Sequence, residues 1–144
     1  MSEELYHAAI LDRARSGERT DRLERPDASA TIDNPLCGDR VTIDLKLDGA
    51  RVSDIAHHVR GCALCRAAAA TIARHAIGET AESLAQTTEA IRGMLKRAAP
   101  APSGAWSEFS MFQPVRAYKS RHDCVLLPFE AIARAFASAR DRSP

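Results

Sequence analysis

The chain of 144 residues predicts an α+β fold, a small antiparallel three-stranded sheet with helices packed on it. Val41, Ile43, Leu45 and Leu47 alternate strictly with Thr42, Asp44 and Lys46, which gives a strand one core face and one wet face. Asp48-Gly49 follows as a hairpin signal, since both central residues of a type I′ turn need positive φ. The Ala-rich run Ala63 to Ile77 has high helix propensity and is closed by Gly78 at the C′ position.

The remaining elements are read around these three. Glu3 to Ala14 carries Leu5, Ala8, Ala9 and Asp12 around a turn, with Tyr6, Ile10 and Arg13 on the neighbouring stripe, and reads as an amphipathic helix. Residues 15–27 are dense in charge, hold Gly17 and Pro26, and offer little but Leu23 to bury, so they read as a flexible connector. Ala28 to Ile32 is a short strand, and Ala50 to about Val59 is the return strand of the hairpin, with Val52 as its first core residue. That pairing brings Arg40 close to the stretch leading into Cys62. Thr80 with Ser83, and then Thr87 or Thr88 ahead of Ile91, Met94 and Leu95, suggest two short helical pieces with hydroxyl caps. The stretch Ala98 to Pro114 is irregular, with three prolines and Gly104, yet Trp106, Phe109 and Phe112 argue that it packs on the domain. Pro128 fits the first turn of a last helix whose buried stripe is Phe129, Ile132 and Phe136.

Composition narrows the function. Residues 1–144 read as one domain, long enough to bury a core without disulfides. Lys plus Arg number 20 against 19 Asp plus Glu, so nucleic acid is not an expected partner. No apolar run reaches membrane-spanning length, and the acidic start Met1-Ser2-Glu3-Glu4 is unlike a signal peptide. A cytoplasmic protein with no membrane partner is expected. In that reducing compartment, four cysteines suit metal ligation or thiol chemistry better than two disulfides.

The chemistry centres on Asn34-Pro35-Leu36-Cys37-Gly38-Asp39-Arg40, which sets a thiol and a carboxylate two residues apart across a glycine. Both can meet one metal ion only if the backbone bends sharply, as Gly38 permits. Sulfur with oxygen suits zinc or iron rather than magnesium or calcium. Cys62 stands at or just before a helix N-terminus, where unpaired N–H groups and the dipole favour thiolate, and Cys124 lies just upstream of the last helix. Cys37, Asp39, Cys62 and Cys124 would fill a tetrahedral site. The competing reading is a coincidence of separated cysteines, two or three of them small buried apolar residues. Spacing alone does not decide between the two.

Several stretches together resemble the IscU/SufU family, the NifU N-terminal-like proteins of iron–sulfur cluster assembly. They are Asn34 to Arg40, the Lys46-Leu47-Asp48-Gly49 hairpin, Gly61-Cys62-Ala63-Leu64 ahead of the Ala-rich helix, Gly78-Glu79-Thr80, and Arg121 to Phe129. The resemblance runs in one order from about Leu5 to Ile132, and the family fold matches the one read above. Cys62 and Cys124 are 62 residues apart, and residues 98–119 look like the insertion typical of the SufU branch. IscU-type scaffolds place a histidine directly before the third cysteine; here Asp123 holds that place and His122 is one residue further off. Both features point to SufU.

The resemblance then implies zinc held by Cys37, Asp39, Cys62 and Cys124, and sulfur accepted from a SufS-like cysteine desulfurase. Cys37 would leave the metal and attack the terminal sulfur of the partner's persulfide, and Arg121 matches a basic family position that could steer the anion. A second reading is a scaffold on which a [2Fe–2S] cluster is built on Cys37, Cys62 and Cys124 for downstream apo-proteins. A third is a structural zinc in an interaction module without sulfur transfer.

Some residues depart from the family pattern. Cys65 replaces a small hydroxyl residue and forms Cys-x-x-Cys with Cys62; it is expected to pack beside the site without binding metal. His57 and His58 are expected as strand residues, and the N-terminal segment lacks the family's His-Tyr and Asn-Pro-Arg-Asn pattern. No phosphate-binding glycine loop, dinucleotide fingerprint or serine elbow supports a small-molecule enzyme.

Overall fold

The computed structural model describes residues 8–15, 22–34 and 38–142, the last three by their backbone alone. Strands β1 (Ala28–Asn34), β2 (Asp39–Asp48) and β3 (Arg51–Arg60) form one antiparallel sheet in the order β1-β2-β3. Helices α1 (Ala8–Arg15), α2 (Ala63–His75), α3 (Ala81–Lys96) and α4 (His122–Arg142) accompany it, with 3₁₀ segments at Gly104–Ala117 and Lys119–Arg121. Helix α4 packs on β1 and β2, α2 packs on β3, and α4 packs against both α2 and α3. The α+β expectation is met in class and in strand number.

Alternation sets the core face of the sheet, but the other face of β2 is not the wet one expected, since Thr42 and Asp44 are buried there. Ala28 and Ile32 of β1, Val41, Ile43 and Leu45 of β2, and Val52 and Ile55 of β3 are all buried. A bulge interrupts the hairpin: Leu47 pairs with Val52 but Lys46 pairs with Asp54, so Ser53 is the extra residue. Val52 and Ile55 can therefore both face inward across an odd spacing. The turn itself corrects an expectation. Asp48 pairs with Arg51, so the central residues are Gly49 and Ala50, and only Gly49 has positive φ, at 62°. That is the requirement of a type II′ turn, not type I′.

The second half differs from the sequence reading at three points. Helix α2 ends at His75, and Gly78, at φ 89°, turns the chain back so that its N–H donates to Val52 O at 2.8 Å. The two helical pieces expected after Thr80 are one helix, α3, opened by a capping box: Ser83 N donates to Thr80 Oγ1 at 3.1 Å and Thr80 N to Ser83 Oγ at 2.9 Å. Thr87 and Thr88 sit within it and donate back to Ser83 O and Leu84 O. The last helix starts at His122, six residues before Pro128, so Cys124 lies in its first turn and not upstream of it.

Residues 104–117, expected to be irregular but packed, are successive 3₁₀ turns that bury Trp106, Phe109, Phe112 and Val115. Phe109 stacks at tilted angles on Phe112 and Phe129, with centroids 5.2 and 5.3 Å away. Of the expected connector 15–27, residues 16–21 lie outside the described residues, while 22–27 are tied to the sheet. Leu47 N donates to Asp27 Oδ2 at 2.8 Å, and Arg22 and Leu23 bond to Asp44 on the face away from the helices. Among the described residues no helix is long and apolar enough to cross a membrane.

Candidate metal centre

The site lies at the end of the sheet where β2 begins and where α2 and α4 both start. Asp39 is the first residue of β2, and strand alternation puts it on the same face as Val41, beneath the helices. It is 2% exposed, an unusual position for a carboxylate without a dedicated role. Cys62 is the N-cap of α2 with extended backbone, φ −74° and ψ 166°. Cys124, fully buried, occupies the first turn of α4. Two helix N-termini thus converge on one point, and each brings positive dipole and a thiol to it.

One ligand atom from each of Asp39, Cys62 and Cys124 lies within 4.8 Å of the other two. The carboxylate is divided between two tasks: Oδ1 accepts the backbone N–H of Cys62 at 3.0 Å, and Oδ2 stands 3.8 Å from Cys62 Sγ. The Cys62 thiol is lowered to about 7, chiefly by a hydrogen bond from Cys124. Burial opposes this, N–H groups of Cys65 and Leu64 reinforce it, and the charge on Asp39 works against it. A thiol that ionises near neutrality, beside a second thiol and a carboxylate, is a soft-metal donor set. These residues fit zinc or iron on their own chemistry.

Of the sequence-predicted site residues, Asp39, Cys62 and Cys124 come together, while Cys37 lies outside the described residues. The chain on either side of it is held: Gly38, at φ 75°, donates its N–H to Asn34 O at 2.8 Å, and Asn34 pairs with Asp39. Arg121 is half-buried, in the 3₁₀ turn immediately before α4. Cys65 is fully buried in α2 and is not among the three clustered ligands. His57 pairs with Ile43 and faces the core, and His58 pairs with Thr42 and is exposed, so both are strand residues as expected. His122 is buried with Nε2 3.1 Å from Arg116 O, also outside the cluster. A shallow polar cleft lined by Asp33, Gly38, Arg40, Arg60 and Gly61 opens beside the site.

The bond from Cys62 N–H to Asp39 escaped the sequence reading. The signal for it is the strand register, in which Arg40 faces Arg60 and the next step sets Asp39 against Gly61. That register depends on the bulge at Ser53; without it a two-residue turn would set Arg40 opposite Val59. The trace of that shift in the sequence is the odd spacing of Val52 and Ile55, which breaks the alternation of β3.

Comparisons with known proteins agree with this fold. Residues 5–125 match the model of the NifU-like N terminal domain. The chain is 26% identical over 131 residues to the iron-sulfur cluster assembly scaffold protein IscU of Thermotoga maritima, covering 91% of this chain and 92% of that one. It is 24% identical over 133 residues to the zinc-dependent sulfurtransferase SufU of Bacillus subtilis, covering 92% and 90% respectively. The crystal structure of a NifU-like protein (N-terminal) from Brucella abortus superposes with a TM-score of 0.92 at 40% identity, over 98% of both chains. With its sheet, its paired helix starts and its Cys-Gly-Asp and Gly-Cys motifs in the expected order, this chain belongs to the NifU-like N terminal domain family.

Proposed function

We propose that this protein serves iron–sulfur cluster assembly in the cytoplasm as a zinc-bound acceptor of persulfide sulfur from a cysteine desulfurase, in the manner of the SufU branch. The observation that carries the reading is the convergence of Asp39, Cys62 and Cys124 at the foot of two helices, with Cys37 two residues before Asp39 in the chain. Two peptide units separate Cys37 from Asp39, so their Cα atoms can be no more than about 7 Å apart. Cys37 is the fourth ligand and the sulfur acceptor. Zinc, when bound, keeps the thiols it holds deprotonated and masks them from oxidation.

In the transfer step the Cys37 thiolate attacks the terminal sulfur of the desulfurase persulfide. The S–S bond of the partner breaks, its cysteine leaves as thiolate, and the new persulfide forms on Cys37. Arg121, and the exposed Arg60 at the polar cleft, supply positive charge toward which an anionic persulfide is drawn. The 22-residue stretch 98–119, packed by Trp106, Phe109 and Phe112, stands as the SufU-type insertion within a single domain.

A second reading keeps the same residues, with a [2Fe–2S] cluster built on Cys37, Cys62 and Cys124 as cargo for apo-proteins. The adjacency of the Cys62 and Cys124 thiols favours it equally. Zinc, iron and acid-labile sulfide content of protein purified without oxygen separates the two: about one zinc and no iron supports the sulfur acceptor, and iron with matching sulfide supports the scaffold. Cys37→Ser should then abolish persulfide transfer while leaving the fold intact, and transfer persisting in that variant refutes the assignment.

A further inference from the structure

A carboxylate that serves as a metal ligand on a flexible side chain must be aimed, and here the aiming device is backbone. Asp39 Oδ1 takes the N–H of Cys62 at 3.0 Å, which leaves Oδ2 directed toward the sulfur of that residue. For the carboxylate to lie so close to the main chain, residue 61 must have no side chain. A Cβ built on Gly61 falls 2.7 Å from Asp39 Cγ and 3.1 Å from its Cβ, and closer still to Oδ1. Real Cβ atoms do not approach other atoms so closely, so the carboxylate or the chain would have to move.

The glycine is not explained by its backbone. Gly38, Gly49, Gly78 and Gly104 all have positive φ with open space around the missing Cβ, so they are glycines for conformation. Gly61 is the reverse case: its φ is outside the left-handed range, and the Asp39 side chain fills the space where a Cβ would stand. Of the six glycines with this accounting, only Gly61 abuts a candidate ligand.

We infer that Gly61 and the N–H of Cys62 form a carboxylate clamp that holds Asp39 by one oxygen and presents the other, so that Gly61 is a positioning residue for metal retention. The inference rests on the metal site proposed above and deepens it. It gives Asp39 a defined position, with Oδ1 fixed on the Cys62 N–H and Oδ2 turned to the thiols.

The test is zinc titration of the metal-free full chain against a chromophoric chelator, run on wild type, Gly61→Ala, Asp39→Ala and the double variant. Outer-shell groups that orient ligands alter metal affinity by about 10–100-fold. Gly61→Ala in the wild-type background is expected to weaken zinc binding by that factor. In the Asp39→Ala background, where the Oδ1 and Cγ contacts are gone, the same substitution should cost no more than about 3-fold, because coupled neighbours are non-additive. Equal losses in both backgrounds, or wild-type affinity in Gly61→Ala, overturn the clamp. Absence of zinc binding by wild type overturns the site itself, which is a separate and visible result. Should Gly61→Ala fail to fold, Asp39→Ala restores folding if the clash is the cause, and failure to restore it also overturns the clamp.

Discussion

Strand β2 carries two buried carboxylates, Asp39 and Asp44, 2% and 1% exposed, on opposite faces of the sheet. Asp44 faces the outer surface and is met by complementary groups: Arg22 through Nε at 2.6 Å and Nη2 at 3.0 Å, Ser29 Oγ at 2.6 Å, and Leu23 N at 3.2 Å. Burial alone would push its carboxyl up, yet these bonds and the Arg22 charge hold it below the usual carboxylate value. Asp39 faces the core side, where it accepts the N–H of Cys62 and lies against the sulfur of that residue. The same residue type on the same strand is thus structural where guanidinium and hydroxyl answer it, and ligand-like where sulfur does. Burial marks a carboxylate as significant; the neighbours decide what it does.

That contrast can be broken most severely at the thiols. Zinc binding of about 10–16 kcal/mol shared among four ligands makes each worth roughly 10²–10³-fold in affinity. Cys124→Ala should weaken zinc binding by about that factor, and chelator competition would show it. The metal-free protein should stay folded, because the aromatic and aliphatic core is assembled without the site; circular dichroism that collapses on chelation would instead make the metal structural. On the other face, Asp44→Ala strips the acceptor from Ser29 and Leu23 N–H, and urea unfolding should register a loss of about 2 kcal/mol. Its zinc affinity should stay within about 2-fold of wild type, and a larger change would mean that the two faces of β2 are coupled.

The pH dependence sharpens the same comparison. With its folded-state value depressed, Asp44 contributes stability that is present above the unfolded carboxylate value of about 4 and is lost as pH falls through the folded one. The stability gap between wild type and Asp44→Asn should therefore be full at pH 7 and shrink below about pH 4. A gap unchanged at pH 3 would show that charge is not what Asp44 contributes.

A smaller effect is expected at the far end of α2, where Glu108 receives Arg13 Nη2 at 2.6 Å, bonds His75, and lies 3.6 Å from Arg74. The His75 bond first, then the Arg13 and Arg74 charges, keep its carboxyl low against burial. This partly exposed cluster ties α1 and the 3₁₀ stretch to α2, and Glu108→Gln should cost about 0.5–1 kcal/mol in thermal unfolding, less in high salt. No loss at all would mean that the aromatic packing of Trp106 against His75 holds the stretch unaided.

What could be read from the chain was what local chemistry dictates. The strict alternation of Val41 to Leu47 gave β2 its core face, and alanine density gave α2. Where two local signals competed, the reading failed. Thr87 and Thr88 resembled caps, but within α3 their hydroxyls bond back to carbonyls four residues earlier. Pro128 resembled a first-turn residue, but α4 runs through it, held by its packing on β1 and β2. Tertiary burial outweighs one missing N–H.

The sequence by itself supplied the candidate donors and the class of chemistry they would suit, because the identities of Cys37, Asp39, Cys62 and Cys124 and the glycines beside Cys37 and Cys62 need no coordinates. Which donors share a site was decided only by the tertiary structure. Cys124 is 62 residues from Cys62 along the chain and reaches it because α2 and α4, packed against each other, both begin at one end of the sheet. Asp39 meets the backbone of Cys62 because a single bulged residue, Ser53, shifts β3 by one position against β2. Such placements rest on helix packing and strand register, which are collective properties of the folded chain and leave no mark in the spacing of the residues they join.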